Sequence, residues 1–159
     1  MAAGVDARLW QAAKTGDLRG AKDALASGAD VSFVRHGTTP LMAAAHEDYV
    51  DICCLLLIEG KADANEAGIH GLTPLLIAAH NRYLAVCRLL LLVGKANVNQ
   101  TKNNGATPLL LAAQKGFADM CRMLLVDGKA DTNKADQDGV TPLHAACYDG
   151  RGRVSAASG

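Results

Sequence analysis

The stretch GLTPLLIAA at residues 71–79 decides the fold of this chain, because near copies of it recur at a fixed spacing. The copies read GTTPLMAAA at residues 37–45, GATPLLLAA at 105–113 and GVTPLHAAC at 139–147. Each copy holds one of the four prolines of the chain, and successive prolines are 34 residues apart. An internal period of this length indicates an array of stacked supersecondary units.

Each copy predicts the start of a helix. Its threonine is a good N-cap residue, since the hydroxyl oxygen accepts a hydrogen bond from a free helical N–H group. The proline that follows takes the first helical position, where its missing N–H has no partner to lose. In the first full unit we expect helices at residues 40–47 and 49–58, and Gly60 ends the second helix in the left-handed conformation. The polar segment 61–72 is expected to form an extended, hairpin-like connection.

The apolar residues of the second helix fall on one face. Ile52, Leu55 and Leu56 have helical spacing, and the same leucine-rich pattern returns one period later. A single pair of short helices cannot bury such a face, whereas stacked pairs share a continuous core. The sequence therefore predicts an all-α solenoid of stacked helix pairs joined by hairpin-like loops.

Composition excludes several functional classes. Half of the 159 residues are hydrophobic and only 4% are aromatic, which suits close-packed helices. The formal net charge is zero, which argues against nucleic-acid and membrane-surface partners. The apolar runs are too short to span a bilayer, and Asp6 and Arg8 interrupt the region where a signal peptide would be apolar. No nucleophile elbow, phosphate loop, HExxH or paired-carboxylate motif occurs, so no catalysis, cofactor or metal is predicted.

The repeated pattern G-x-T-P-L, then A-A, L-L-L, G and A-D-x-N, resembles the ankyrin repeat, and the resemblance covers nearly the whole chain. It implies a single ankyrin-repeat domain at residues 1–150, and the glycines and serines of residues 151–159 predict a flexible tail. The implied units are an N-terminal capping repeat at 4–36, repeats at 37–70, 71–104 and 105–138, and an incomplete repeat at 139–150.

The chain departs from the family pattern in its loops. The first connection, from Gly28 to Gly37, is one residue shorter than usual, whereas the connections after the next three second helices are one residue longer. We assign the extra residue of the longer connections to Lys61, Lys95 and Lys129. Asp48 and Arg82 replace the family's glycine between the two helices. Arginine tolerates the left-handed backbone less well than aspartate does, so we expect a strained or reshaped turn at Arg82.

The histidine of the family's T-P-L-H motif is kept only as His144. Met42, Leu76 and Leu110 take its place in the other repeats, and we expect them to pack as apolar residues beneath the hairpins.

The five cysteines indicate free thiols in a reducing, intracellular compartment, because they are odd in number and lack metal-ligand spacing. Cys53, Cys87 and Cys121 share the 34-residue period and lie at a position where the family carries small, core-facing residues. Cys54 lies at a solvent-facing position of the family and is the cysteine that we expect to be reactive.

The histidines also recur in pairs. The resemblance places His36 and His70 at adjacent hairpin tips, and His46 and His80 at the concave ends of adjacent first helices. A shared metal site would need both ligands about 2 Å from one ion, which the stacking of repeats opposes. We therefore interpret them as contact residues.

The resemblance implies a non-catalytic protein–protein interaction module of the adaptor, scaffold or inhibitor type, in the cytoplasm, the nucleus or both. The alternative is a regulatory ankyrin segment of a larger enzyme or multidomain protein whose catalytic part is absent here. Partners of the family bind the hairpin tips and the exposed ends of the first helices. In this chain those positions are Arg35, His36, Thr38, His46, Glu47, Ile69, His70, Leu72, His80, Asn81, Asn103, Asn104, Ala106, Gln114, Lys115, Gln137, Asp138, Val140, Tyr148 and Asp149.

Two further hypotheses concern modification and self-association. Asn65, Asn99 and Asn133 close the A-D-x-N segments, where some ankyrin repeats are hydroxylated, although hydrogen bonding within the hairpin is the expected main role.

The incomplete last repeat is expected to leave parts of Met120, Met123 and Leu124 exposed, and such a patch favours self-association.

Overall fold

The computed structural model describes residues 2–148, and helices are the regular elements over that range, as the sequence predicts. A short 3-10 turn at Ile69–Gly71 adds to them. The helices are α1 Ala2–Thr15, α2 Leu18–Ala26, α3 Pro40–His46, α4 Val50–Ile58, α5 Pro74–Asn81, α6 Leu84–Leu92, α7 Pro108–Gln114, α8 Ala118–Val126 and α9 Pro142–Cys147.

The helices stack in two layers. The odd-numbered helices follow one another in the inner layer, with α1 against α3, α3 against α5, α5 against α7 and α7 against α9. The even-numbered helices form the outer layer, and each packs on the inner helix of its own unit. The result is a solenoid in which each unit is buried by its neighbours. The tail predicted at 151–159 lies outside the described residues.

The inner helices α3, α5, α7 and α9 begin as predicted. Thr39, Thr73, Thr107 and Thr141 each accept a hydrogen bond from the backbone N–H three residues ahead, at 3.1–3.3 Å. A proline follows each threonine in the first turn of the helix. The repeated Thr-Pro pair therefore sets where each inner helix starts.

The outer helices end differently from the prediction. The left-handed residue is Lys61 (φ 56°) instead of Gly60, and Lys95 and Lys129 adopt the same conformation (both φ 53°). The extra residue in each loop moves the left-handed position one place beyond the glycine. In the shorter first loop, Gly28 itself takes that position, with φ of 82°. Three lysines thus hold a conformation that costs a side-chain-bearing residue energy.

The glycine at each helix end serves close packing instead. A Cβ atom on Gly94 would lie 2.9 Å from the carbonyl oxygen of Leu90 and 3.1 Å from Cδ2 of Leu57, which belongs to the preceding unit. Leu91 lies against Gly128 of the following unit in the same way, at 3.4 Å from the position of a Cβ. A leucine of one outer helix therefore packs on the glycine that ends the next.

Hairpin-like reversals connect the units and hydrogen-bond to each other. In each pair, a backbone N–H of one hairpin donates to a carbonyl oxygen of the hairpin before it. The bonds run from Ile69 N to Gly37 O (2.9 Å), from Asn103 N to His70 O (2.9 Å) and from Gln137 N to Asn104 O (3.0 Å).

The residues that replace the family's histidine pack as predicted. Met42, Leu76 and Leu110 are almost completely buried. His144 keeps the polar role, because its side-chain Nδ1 accepts a hydrogen bond from the backbone N–H of Thr141 at 3.3 Å. This repeated position is therefore apolar in the three preceding repeats and polar in the last described helix.

The apolar surface at this end differs from the prediction. Met120, Met123 and Leu124 are buried, since they face the shared core. The large apolar residues of α8 that are exposed are its last two, Leu125 and Val126. Self-association through this end of the array stays a prediction.

Candidate partner-binding surface

Most of the predicted contact residues have accessible side chains, but Ala106 does not. It is 2% exposed, because its methyl group packs with Leu76, Leu110 and Ala145 beneath the third hairpin. Asp149 lies outside the described residues. The exposed members are Arg35, His36, His46, Ile69, His70, His80, Asn103, Asn104, Gln114, Lys115, Gln137, Asp138 and Tyr148, and the half-buried members are Thr38, Glu47, Leu72, Asn81 and Val140.

The first hairpin is held by Trp10 of α1, which the sequence analysis did not single out. Its indole Nε1–H donates to the carbonyl oxygen of Thr38 at 3.1 Å. The ring of His36 meets it edge to face at 5.6 Å, and the guanidinium of Arg35 lies 5.5 Å from its centre. Trp10 is the one tryptophan of the chain, and its position in the helix of the capping repeat could have pointed to this role. Trp10 fixes the cationic tip of the hairpin.

A depression of about 340 Å³ lies in the middle of the concave surface. It brings together four predicted contact residues, His46, Leu72, His80 and Asn81. The remaining lining residues were not predicted, because they come from the hairpin and helix of the following unit or lie on the buried floor. They are Leu76, Ile77, Lys102 and Leu111.

Neighbouring side chains orient the two histidines at the depression. His46 Nδ1 lies 2.9 Å from Oε1 of Glu47, and His80 Nδ1 lies 3.4 Å from Oδ1 of Asn81. An oxygen acceptor at Nδ1 favours the proton on that nitrogen, which leaves Nε2 as a hydrogen-bond acceptor. Glu47 also accepts a hydrogen bond from Lys14, and these two bonds, that from Lys14 first, lower the pKa of Glu47. The carboxylate of Glu47 is thereby engaged within the protein.

Comparison with known families matches the architecture. The family model described as ankyrin repeats (3 copies) matches residues 9–102 and, in an overlapping match, residues 90–157. The chain belongs to the ankyrin-repeat family. Ankyrin repeats are generally protein–protein interaction modules. No curated protein matches this chain. Among the helices of the described residues, none is long and apolar enough to cross a membrane.

The ankyrin turns that lack glycine keep the left-handed backbone. Asp48 has φ of 61° and Arg82 has φ of 64°. The guanidinium of Arg82 donates to both carboxylate oxygens of Asp119 at 2.9–3.2 Å and lies 5.5 Å from the ring centre of Phe117. These contacts reach the next repeat and offset the strain at Arg82. The hydrogen bonds from Arg82 also lower the pKa of Asp119.

Two of the cysteines, Cys53 and Cys87, have the burial that the ankyrin pattern implies, whereas Cys121 and Cys54 depart from it. Cys53 and Cys87 are fully buried, and desolvation raises the pKa of each thiol to about 12. Cys121 is only half-buried, although burial still raises the pKa of its thiol. Cys54 is half-buried in a surface depression of the outer layer, and every cysteine is a free thiol. In the described part of the chain, no group of three His, Cys, Asp or Glu residues could hold a metal ion.

The ankyrin asparagines join neighbouring repeats. Asn65 Oδ1 accepts a hydrogen bond from the backbone N–H of Asn97 at 2.6 Å, and Asn99 Oδ1 accepts from that of Asp131 at 2.8 Å. The prediction that these side chains hydrogen-bond within their own hairpin is therefore wrong for the side-chain oxygens of Asn65 and Asn99, because each accepts its hydrogen bond from the next repeat. Hydroxylation of Asn65, Asn99 and Asn133 stays a prediction.

Proposed function

We propose that this chain is a non-catalytic binding module that holds a partner protein on its concave surface and hairpin tips, in the manner of an adaptor, scaffold or inhibitor. The depression between α3, α5 and the second and third hairpins is the observation that carries the proposal. It combines an apolar floor with a polar rim, and this combination characterises the centre of many protein interfaces.

The shape of the surface supports binding over catalysis. Reactions need a site that excludes water and fixes reacting groups within hydrogen-bond reach. Here the titratable residues His46 and His80 are exposed on an open groove, and within the described part of the chain the ring of each hydrogen-bonds only to the side chain of the next residue. An exposed row of such side chains suits recognition of a partner's surface.

A double variant tests this function. His46→Glu with His80→Glu places two negative charges at the depression, while exposed substitutions usually change the free energy of unfolding by only about 0.5 kcal/mol. We expect the variant to stay folded and to lose the proteins that the wild type captures from a lysate of the cells that make it. The readout is affinity capture followed by mass spectrometry.

The matched control carries two charge reversals on the outer layer, Lys22→Glu with Arg122→Glu. Both side chains are exposed, on α2 and α8. This control is expected to capture the same proteins as the wild type. If the concave variant captures them equally well, the partner uses another surface and the proposed function is wrong.

A further inference from the structure

We propose that the depression binds an acidic peptide segment, which inserts one apolar side chain and directs a carboxylate to Lys102. This inference rests on the proposed function and adds the chemistry of the partner. It follows from the floor of the depression, from the charges on its rim and from the distribution of charge along the hairpin tips.

The floor suits an apolar side chain. Leu76, Ile77 and Leu111 form it and are otherwise buried in the array, and the half-buried Leu72 adds to it. The volume of about 340 Å³ is near the lower end of the range for small-molecule pockets. A space of this size takes one or two side chains and is too small for a folded element.

The rim is cationic and polar. No acidic residue lines the depression, and its charged member is Lys102. Among the ion pairs of the described residues, none involves Lys102. The nearby Glu47 is already bonded to Lys14 and His46. A carboxylate from a partner would therefore meet an uncompensated ammonium group.

The charges on the hairpin tips indicate which hairpins the bound segment would cover. Arg35 and His36 form the first tip, Lys102 starts the third, and Asp136 and Asp138 lie in the fourth. The cationic charges thus precede the acidic ones along the row. An acidic segment would lie across the first three hairpins and avoid the fourth, because like charges there would repel it.

Selection from random dodecapeptides displayed on phage tests the proposal. We expect the enriched peptides to carry a net negative charge and a large apolar residue close to an Asp or Glu. A fluorescein-labelled peptide of this kind should bind Lys102→Glu about tenfold more weakly than the wild type in fluorescence polarisation, a loss typical of an interfacial charge pair. Lys102→Gln should give an intermediate loss, and replacing the peptide's acidic residue with its amide should remove the difference between wild type and Lys102→Gln.

Two controls accompany the measurement. Lys22→Glu makes the same charge change on the outer layer and should leave the affinity unchanged, and circular dichroism shows whether each variant is folded. Asp138→Lys should bind the peptide as well as the wild type or better. A weaker Asp138→Lys complex, or equal affinities of Lys102→Glu and wild type, would overturn the acidic-segment proposal.

The results also separate this inference from the proposed function. Enriched peptides that are neutral or basic, yet lost by His46→Glu with His80→Glu, would overturn the inference and leave the concave surface as the binding site. Failure to enrich any peptide would likewise overturn the inference, and the lysate experiment would still judge the function. Acidic peptides that bind the histidine double variant as tightly as the wild type would contradict both.

Discussion

The central unit and the last described helix share the repeated sequence, but equivalent residues in them differ in the exposed fraction of their side chains. Leu75 of α5 is 1% exposed, whereas Leu143, its counterpart in α9, is 67% exposed. Leu91 of α6 is 9% exposed, whereas Leu125 of α8 is 39% exposed. The central residues are covered by the next unit, because α7 packs on α5 and Leu91 packs on Gly128. Burial in this array is therefore a property of the pair of units, as nearest-neighbour coupling requires.

The largest expected difference is between Leu75→Ala and Leu143→Ala. Truncating a buried leucine costs about 2–5 kcal/mol, while an exposed substitution changes stability by only about 0.5 kcal/mol. Urea unfolding followed by circular dichroism measures both. Similar losses for the two variants would show that α9 is covered to the same degree as α5 and would remove the contrast.

A second test concerns the glycine at the end of α6. Gly94→Ala places a methyl group against the carbonyl oxygen of Leu90 and the side chain of Leu57, and such overpacking costs about 1–3 kcal/mol. Gly4→Ala in α1 is the control, because a Cβ there meets no atom within 4 Å and alanine favours the helix. Thermal unfolding should therefore separate the two variants. Equal stability of Gly94→Ala and wild type would contradict the leucine-on-glycine contact.

A third test compares thiols at one repeated position. Cys87 is fully buried and Cys121 is half-buried, and burial raises the pKa of both thiols, which lowers the share of the reactive thiolate. Alkylation of Cys87 requires opening of the central unit, so we expect Cys121 to react about tenfold faster, equivalent to about 1.4 kcal/mol in opening free energy. Peptide mass spectrometry after timed iodoacetamide labelling gives both rates, and Cys54 should react fastest. Faster labelling of Cys87 than of Cys121 would reverse the comparison.

The smallest expected effect depends on pH. The folded-state pKa of Asp119 is lowered by Arg82, so the ion pair stabilises the fold above the ordinary carboxyl pKa and is lost as the pH falls through the lowered value. Asp119→Asn should lose less stability than the wild type between pH 7 and pH 3. Asp51→Asn, at the equivalent position of α4, is the control, because Asp51 forms none of the ion pairs of the described residues. Parallel pH profiles for Asp119→Asn and wild type would show that the pair contributes nothing.

Sequence alone predicted the features that one unit determines by itself. The Thr-Pro pair predicted the start of each inner helix, because the cap and its acceptor lie three residues apart. The turn at Asp48 and the strained turn at Arg82 followed from their place between two helices. The sequence specifies each of these positions within a few residues, although the contacts that offset the strain at Arg82 reach Asp119 of the next repeat.

Features that involve two units were harder to predict. Gly60 was expected to be left-handed, but close packing against its neighbours requires the glycine, and Lys61 takes the strained conformation. The prediction that Met120, Met123 and Leu124 are exposed was wrong, and Leu125 and Val126 are exposed instead. The reason is that the orientation of each side chain relative to the next unit decides its exposure. Lys102 was not predicted to line the depression for the same reason, since it belongs to the hairpin after α5 and α6.

The contacts between repeats have a genetic consequence. The bonds from Ile69 to Gly37, from Asn103 to His70 and from Gln137 to Asn104 join successive hairpins through the backbone, and a leucine-on-glycine contact joins successive outer helices. A duplication or loss of one 34-residue block would bring together ends that already fit, because successive blocks share these contacts. The length of the groove can therefore change in whole units without any new interface having to evolve.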